Sequence, residues 1–130
     1  MNNIIIEKTD SLPGVNFDID SKNLQIEGRS IPENAFTFYT PLITWINDYF
    51  SKNDFNTKAN ASTLNITCDY FNSSSAKMFL YMFDALANYQ KEGHLIDINW
   101  YVSQEDEEII DMIDDIRLIS EIKLKIMDLQ

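Results

Sequence analysis

Residues 64–77 read Leu64-Asn65-Ile66-Thr67-Cys68-Asp69-Tyr70-Phe71-Asn72-Ser73-Ser74-Ser75-Ala76-Lys77. Leu64, Ile66, Cys68 and Tyr70 alternate with Asn65, Thr67 and Asp69, the period of a half-buried strand whose apolar side chains share one face. Four short polar residues, Asn72 to Ser75, then break the alternation. Side chains of this kind accept hydrogen bonds from the free amides that open a helix. Beyond them Met78, Phe79, Met82, Phe83, Leu86 and Tyr89 cover a wide helical face until Gly93, close to Lys91, offers a stop. Leu95 to Tyr101 again reads as a strand. Strand, helix and strand in this order predict a parallel pair joined by a right-handed crossover.

Working outward, Val15, Phe17 and Ile19 alternate with polar residues, pause at Asp20-Ser21-Lys22-Asn23, and resume with Leu24 and Ile26 as far as Gly28, the pattern of a hairpin. Residues 1–14 are either an extra strand, centred on Ile4–Ile6, or a flexible lead-in. From Asn34 to Ser51 the residues Phe38, Leu42, Ile43, Trp45, Ile46, Tyr49 and Phe50 recur at helical spacing, with Asn34 or Thr40 as N-cap and Pro41 tolerable in a first turn. Residues 51–61 are polar and read as a loop. Glu105 to Ile116 is an acidic amphipathic helix with Ile109, Ile110, Met112, Ile113 and Ile116 inward, and Ile122 to Met127 is a last strand. The predicted fold is α/β: one domain over residues 1–130, with a mixed, mainly parallel sheet opened by a hairpin and packed by about three helices.

Composition narrows the partners. Of 130 residues, 21 are Asp or Glu and 10 are Lys or Arg, a formal charge of −11 that disfavours nucleic acid and anionic lipid. Seven of those acids, against the single Arg117, fall within residues 105–117. With 45% apolar residues, three Gly and three Pro, the chain is far from the composition of disorder. No run of eighteen apolar residues and no basic, apolar leader is present, so a cytoplasmic location without membrane insertion is expected. One cysteine, Cys68, and one histidine, His94, cannot make an internal disulfide or a zinc cage. The sequons at Asn60, Asn65 and Asn72 are therefore not expected to carry sugar.

The chemistry centres on Tyr70 to Lys77, at the carboxyl end of a strand and the start of a helix, where ligands and switches lie in open α/β sheets. Three readings stand: Asn72 and the serines cap the helix; one of the serines is phosphorylated, with Lys77 on the same face as Ser73; or the helix start holds an anion. A catalytic serine lacks a base, because His94 lies at the far end of the same helix. His94 reads as a helix C-terminal residue, Cys68 as an inert buried thiol, and the acids of residues 105–115 as a solvated face or a dock for a basic surface. The connection Gly28-Arg29-Ser30-Ile31-Pro32-Glu33-Asn34 needs Gly28 for a tight exit and Pro32 for a fixed angle. Trp45, Trp100 and Tyr101 are expected core or interface anchors. No phosphate-binding glycine loop, metal cluster or nucleophile–base pair is present, so neither an enzyme nor a cofactor is expected.

Gly28-x-Ser30-x-Pro32-Glu33-Asn34 and Tyr70 to Lys77, together with Trp45, Gly93 and Trp100-Tyr101, resemble the bacterial SiaC family of regulatory phosphoproteins over about residues 15 to 127. The resemblance implies a STAS-like fold, as in anti-sigma factor antagonists. It also implies a threonine phosphorylated by a dedicated Ser/Thr protein kinase and restored by a metal-dependent Ser/Thr phosphatase. The matching position is Ser73, with Ser74 the alternative and Asn72, Ser75 and Lys77 around it. In that family the unmodified form binds and activates a diguanylate cyclase, feeding cyclic-di-GMP signalling and biofilm control, and the modified form does not. The implied partner face comprises Pro32, Glu33, Asn34, Tyr70 and Phe71. Three residues depart from the family pattern: Ser73 for threonine, Ala76 for serine, and Ile113 where glycine is frequent. The alternatives are a STAS-like antagonist of an anti-sigma factor and a small anion- or nucleotide-binding module.

Overall fold

The computed structural model describes residues 1–129. The strands are β1 (Ile4–Ile6), β2 (Gly14–Phe17), β3 (Asn23–Glu27), β4 (Ser62–Thr67), β5 (Ile96–Val102) and β6 (Lys125–Asp128). The helices are α1 (Ala35–Lys52), α2 (Ser73–Lys91) and α3 (Glu107–Ser120), and a short 3-10 turn spans Lys58–Asn60. The strands form one sheet in sequential order, antiparallel from β1 to β3 and parallel from β3 to β6.

Period-two alternation decides which face of this sheet is dry. Leu24, Leu64 and Ile98 align across three strands, as do Ile26, Ile66 and Trp100, and all six are buried. Each parallel crossover steps to the next strand in the same direction, so right-handed connections place all three helices on one face. There α1 packs on α2 and α2 on α3. The opposite face carries no helix, and Asn16, Gln25, Asn65 and Asn99 form a polar row across four strands of it. Asn99 Nδ2 donates to Asn65 Oδ1 across 3.1 Å. This topology sets the starts of α1, α2 and α3 along one rim, at the carboxyl ends of the parallel strands.

Local chemistry sets the boundaries. Ile4–Ile6 is a strand. The hairpin closes one residue after Phe17, where Asp18 N–H donates to the Asn23 carbonyl at 3.1 Å, and Lys22 takes a left-handed φ of 61°. Asn34, not Thr40, caps α1, its side chain accepting from Thr37 N–H at 3.0 Å. Pro41 therefore lies inside the helix rather than in its first turn. Its missing donor leaves only the carbonyl of Thr37 open, and both residues are exposed to water there. Helix α2 ends as expected: Gly93, at φ 104°, and His94 donate backwards to the Gln90 and Tyr89 carbonyls. Helix α3 continues past Ile116 because Ser120 is buried with its hydroxyl donating to the Ile116 carbonyl at 2.7 Å, and Glu121 ends it at φ 62°. Among the described residues, no helix is long and apolar enough to cross a membrane.

Candidate functional site

The strand-to-helix junction differs from simple alternation by one residue. Cys68 still points into the core, but Asp69 and Tyr70 both face outward and Phe71 takes the next buried place. Neighbouring groups account for the slip. Cys68 S–H and Ser30 N–H both donate to the Tyr70 carbonyl, at 3.2 and 3.0 Å, and Ser30 pairs with Phe71 in an isolated parallel bridge. The Phe71 ring then meets Phe79 and Trp100, with centroids 5.3 and 5.5 Å away. Tyr70, read from the alternation as inward, is 47% exposed, and the Arg29 guanidinium lies 5.7 Å from its ring.

The three serines are not equivalent. The Asn72 side chain caps α2, accepting from Ser75 N–H at 2.9 Å and from the Ser74 hydroxyl at 3.2 Å. Ser73 and Ser74 are exposed, whereas Ser75 is fully buried. Ser73, the first helical residue, has no hydrogen-bond partner for its hydroxyl among the described residues, whereas the Ser74 hydroxyl is engaged with Asn72 and that of Ser75 is buried. Replacing Asn72 by alanine is expected to lower the unfolding free energy by about 1 kcal/mol in urea denaturation, with Asn72→Asp retaining it.

Ser75 belongs to a buried hydroxyl chain. Its Oγ lies 3.0 Å from the Ser30 carbonyl and 2.8 Å from Ser30 Oγ, which is 2.5 Å from the Tyr39 hydroxyl. A carbonyl only accepts, and each hydroxyl carries one proton, so the direction follows: Tyr39 donates to Ser30, Ser30 to Ser75, and Ser75 to the Ser30 carbonyl. Burial pushes the Tyr39 hydroxyl well above the usual tyrosine range, so its proton stays in place to be donated.

The loop before α1 runs beside this junction. Pro32 and Phe71, both expected at a partner face, are buried and serve packing; Glu33, Asn34 and Tyr70 remain at the surface. Between the starts of α1 and α2 lies an open groove of about 470 Å³, lined among others by Glu33, Asn34, Phe36, Ser74, Lys77 and Tyr81. Phe36 is 66% exposed and Tyr81 47% exposed. Lys77 leans over the Tyr81 ring, with Nζ 5.9 Å from its centroid. Sequence reasoning missed Phe36 and Tyr81. Only an exposed aromatic with no core partner marks such an anchor, and helical spacing alone does not show that exposure.

Elsewhere the site is chemically quiet. His94 lies beyond the helix end, its ring against Phe50, Phe55 and Tyr89 and its Nδ1 accepting from Phe55 N–H at 3.3 Å. The length of α2, about 28 Å at 1.5 Å per residue, separates it from Ser73. The Cys68 thiol is buried and pushed up to about 12 by desolvation, so it carries almost no thiolate at neutral pH. Trp100 and Trp45 are core residues, while Tyr101 is half-buried. Among the described residues, no three His, Cys, Asp or Glu side chains gather as a metal site requires.

Comparison with known proteins places this geometry. The chain is similar to SiaC of Pseudomonas aeruginosa in its apo crystal structure, with a TM-score of 0.84 at 20% identity, covering 98% of this chain and 99% of that one. It is equally similar to a chain in the crystal structure of the P. aeruginosa diguanylate cyclase SiaD in complex with its activator SiaC. That TM-score is 0.85 at 21% identity, covering 97% and 99% of the two chains. An uncharacterised protein of P. aeruginosa strain UCBPP-PA14 is 22% identical over 117 residues, 90% of this chain and 89% of that protein. At these identities the structural likeness establishes the fold, a six-stranded mixed sheet with three helices. The sequence itself matches the description of SiaC family regulatory phosphoproteins over residues 6–129, and the chain belongs to that family.

Proposed function

We propose that this protein is a non-catalytic signalling domain whose unphosphorylated form binds and activates a diguanylate cyclase, and that phosphorylation of Ser73 releases it. The observation that carries the reading is the free, exposed Ser73 hydroxyl at the start of α2, beside a groove with two exposed aromatic rings. Membership of a regulatory phosphoprotein family supports it, as does the similarity to a chain in the SiaD–SiaC complex. A Ser/Thr protein kinase and a metal-dependent Ser/Thr phosphatase would set the state of Ser73 in the cytoplasm.

The mechanism is electrostatic. A phosphoryl group adds roughly −1.5 to −2 charges and three acceptor oxygens to a neutral surface. Ser73 adjoins Ser74, which lines the groove, so a partner docked across Phe36 and Tyr81 that also covers the start of α2 would have to bury those charges or withdraw. Withdrawal is the cheaper outcome where the partner offers no cation at that point. The acidic start of α3 lies on the same rim and adds repulsion toward an acidic partner.

The test is binding of the diguanylate cyclase to wild type, Ser73→Ala, Ser73→Asp and Ser74→Asp, measured by titration calorimetry together with cyclase activity. Ser73→Ala is expected to bind like wild type and Ser73→Asp at least tenfold more weakly. If Ser74→Asp alone weakens binding, the switch moves by one residue. Equal binding by all four overturns the reading.

A further inference from the structure

We infer that the buried hydroxyl chain Tyr39–Ser30–Ser75 holds the first turn of α2 in the position that presents Ser73 and shapes the adjoining groove, making Ser30, Ser75 and Tyr39 positioning residues of the switch. This rests on Ser73 being the switch. The Ser30 carbonyl is the anchor: it accepts from Asn72 N–H at 3.2 Å and from Ser75 Oγ at 3.0 Å. Those two contacts bracket Ser73 and Ser74, so the exposed pair is a two-residue arch pinned at both feet to a single atom. Ser30 N–H in turn donates to the Tyr70 carbonyl, which ties the incoming chain to the same residue.

The side-chain chain fixes this anchor to α1. Ser30 Oγ donates a hydrogen bond to Ser75 Oγ across 2.8 Å and accepts one from the Tyr39 hydroxyl across 2.5 Å. Ser30 and Ser75 are completely buried, and so is Tyr39. In a water-free setting each of these hydroxyls depends on the others, because no solvent replaces a lost partner. The Tyr39 ring packs edge-on to Phe38 and tilted on Phe79, centroids 4.9 and 5.2 Å away, so its position follows the packing of α1 against α2. The spacing between the two helix starts, and with it the width of the groove between Phe36 and Tyr81, is set through these three oxygens.

The experiment compares amide hydrogen exchange in the full chain for wild type, Tyr39→Phe and Ser75→Ala. Tyr39→Phe is the gentler variant, keeping the ring and removing one oxygen. Exchange at Asn72, Ser75 and Ala76 is expected to accelerate about tenfold, while Glu92, Gly93 and His94 at the other end of α2 keep their wild-type rates. In the same variants, affinity of the unphosphorylated protein for the diguanylate cyclase is expected to fall at least fivefold. Equal acceleration at both ends of α2 would mean a general loss of stability and would overturn the proposal, as would local loosening with unchanged affinity. The exchange readout needs no kinase and no partner, so a negative result at Ser73 itself is distinguishable from failure of the hydroxyl chain.

Discussion

Trp100→Ala is expected to lower the unfolding free energy by about 3–5 kcal/mol, a large share of the 5–15 kcal/mol typical of such domains. The indole is fully buried at the centre of the sheet, in register with Ile66 on one side and Ile126 on the other. Phe71, Phe79 and Phe83 surround it with ring centroids 5.5, 5.1 and 5.8 Å away. Truncation leaves a cavity that rigid neighbours on β4, β6 and α2 cannot close, and the Cys68 carbonyl loses its contact with the indole N–H at 3.5 Å. Urea denaturation measures the effect. A loss below about 2 kcal/mol would show that the surroundings relax far more than a close-packed interior allows. Because Phe71 adjoins Asn72, the same variant is expected to loosen the cap of α2 before the chain unfolds.

The second large effect is on binding. Replacing Phe36 and Tyr81 together by alanine is expected to weaken the diguanylate cyclase complex by about 2–4 kcal/mol, or roughly 30- to 700-fold, while the midpoint of unfolding hardly moves. Large exposed aromatics contribute little to a monomer's stability, and surface substitutions of this kind usually change it by no more than about 0.5 kcal/mol. Their value lies in rigid apolar area presented at low entropic cost, and they flank the groove beside Ser74 and Lys77. Titration calorimetry of the double variant against the cyclase, with thermal melts of both proteins, decides the matter. Unchanged affinity would move the interface away from this groove.

The order of elements was legible because two periods, two and about 3.6, are easily told apart over segments as long as α1, α2 and β5. The cap of α2 was legible too, since Asn72 stands where the apolar pattern changes period. What escaped was decided by contacts between distant residues. Nothing local distinguishes Ser75 from Ser73; the difference comes from Ser30, forty-five positions earlier, meeting one and not the other. Tyr70 and Phe71 exchange places because the Tyr70 carbonyl is held by Cys68 and Ser30, a tertiary constraint that overrides alternation. The family resemblance places Pro32 at a partner face, but it is buried beside α1, with Glu33 and Asn34 left outside. The exposure of Phe36 follows from the side of α1 that α2 covers, which no window of sequence contains.

The three helix starts along the rim carry unequal burdens. Helix α3 begins with Glu107 and Glu108, whereas α1 and α2 have no acidic residue in their first turns. A helix start behaves as roughly half a positive charge, so α3 neutralises its own while α2 leaves its own bare. A phosphoryl group on Ser73 would fill that vacancy. On the proposed reading, the phosphorylated form would then be the more resistant of the two to heat and denaturant.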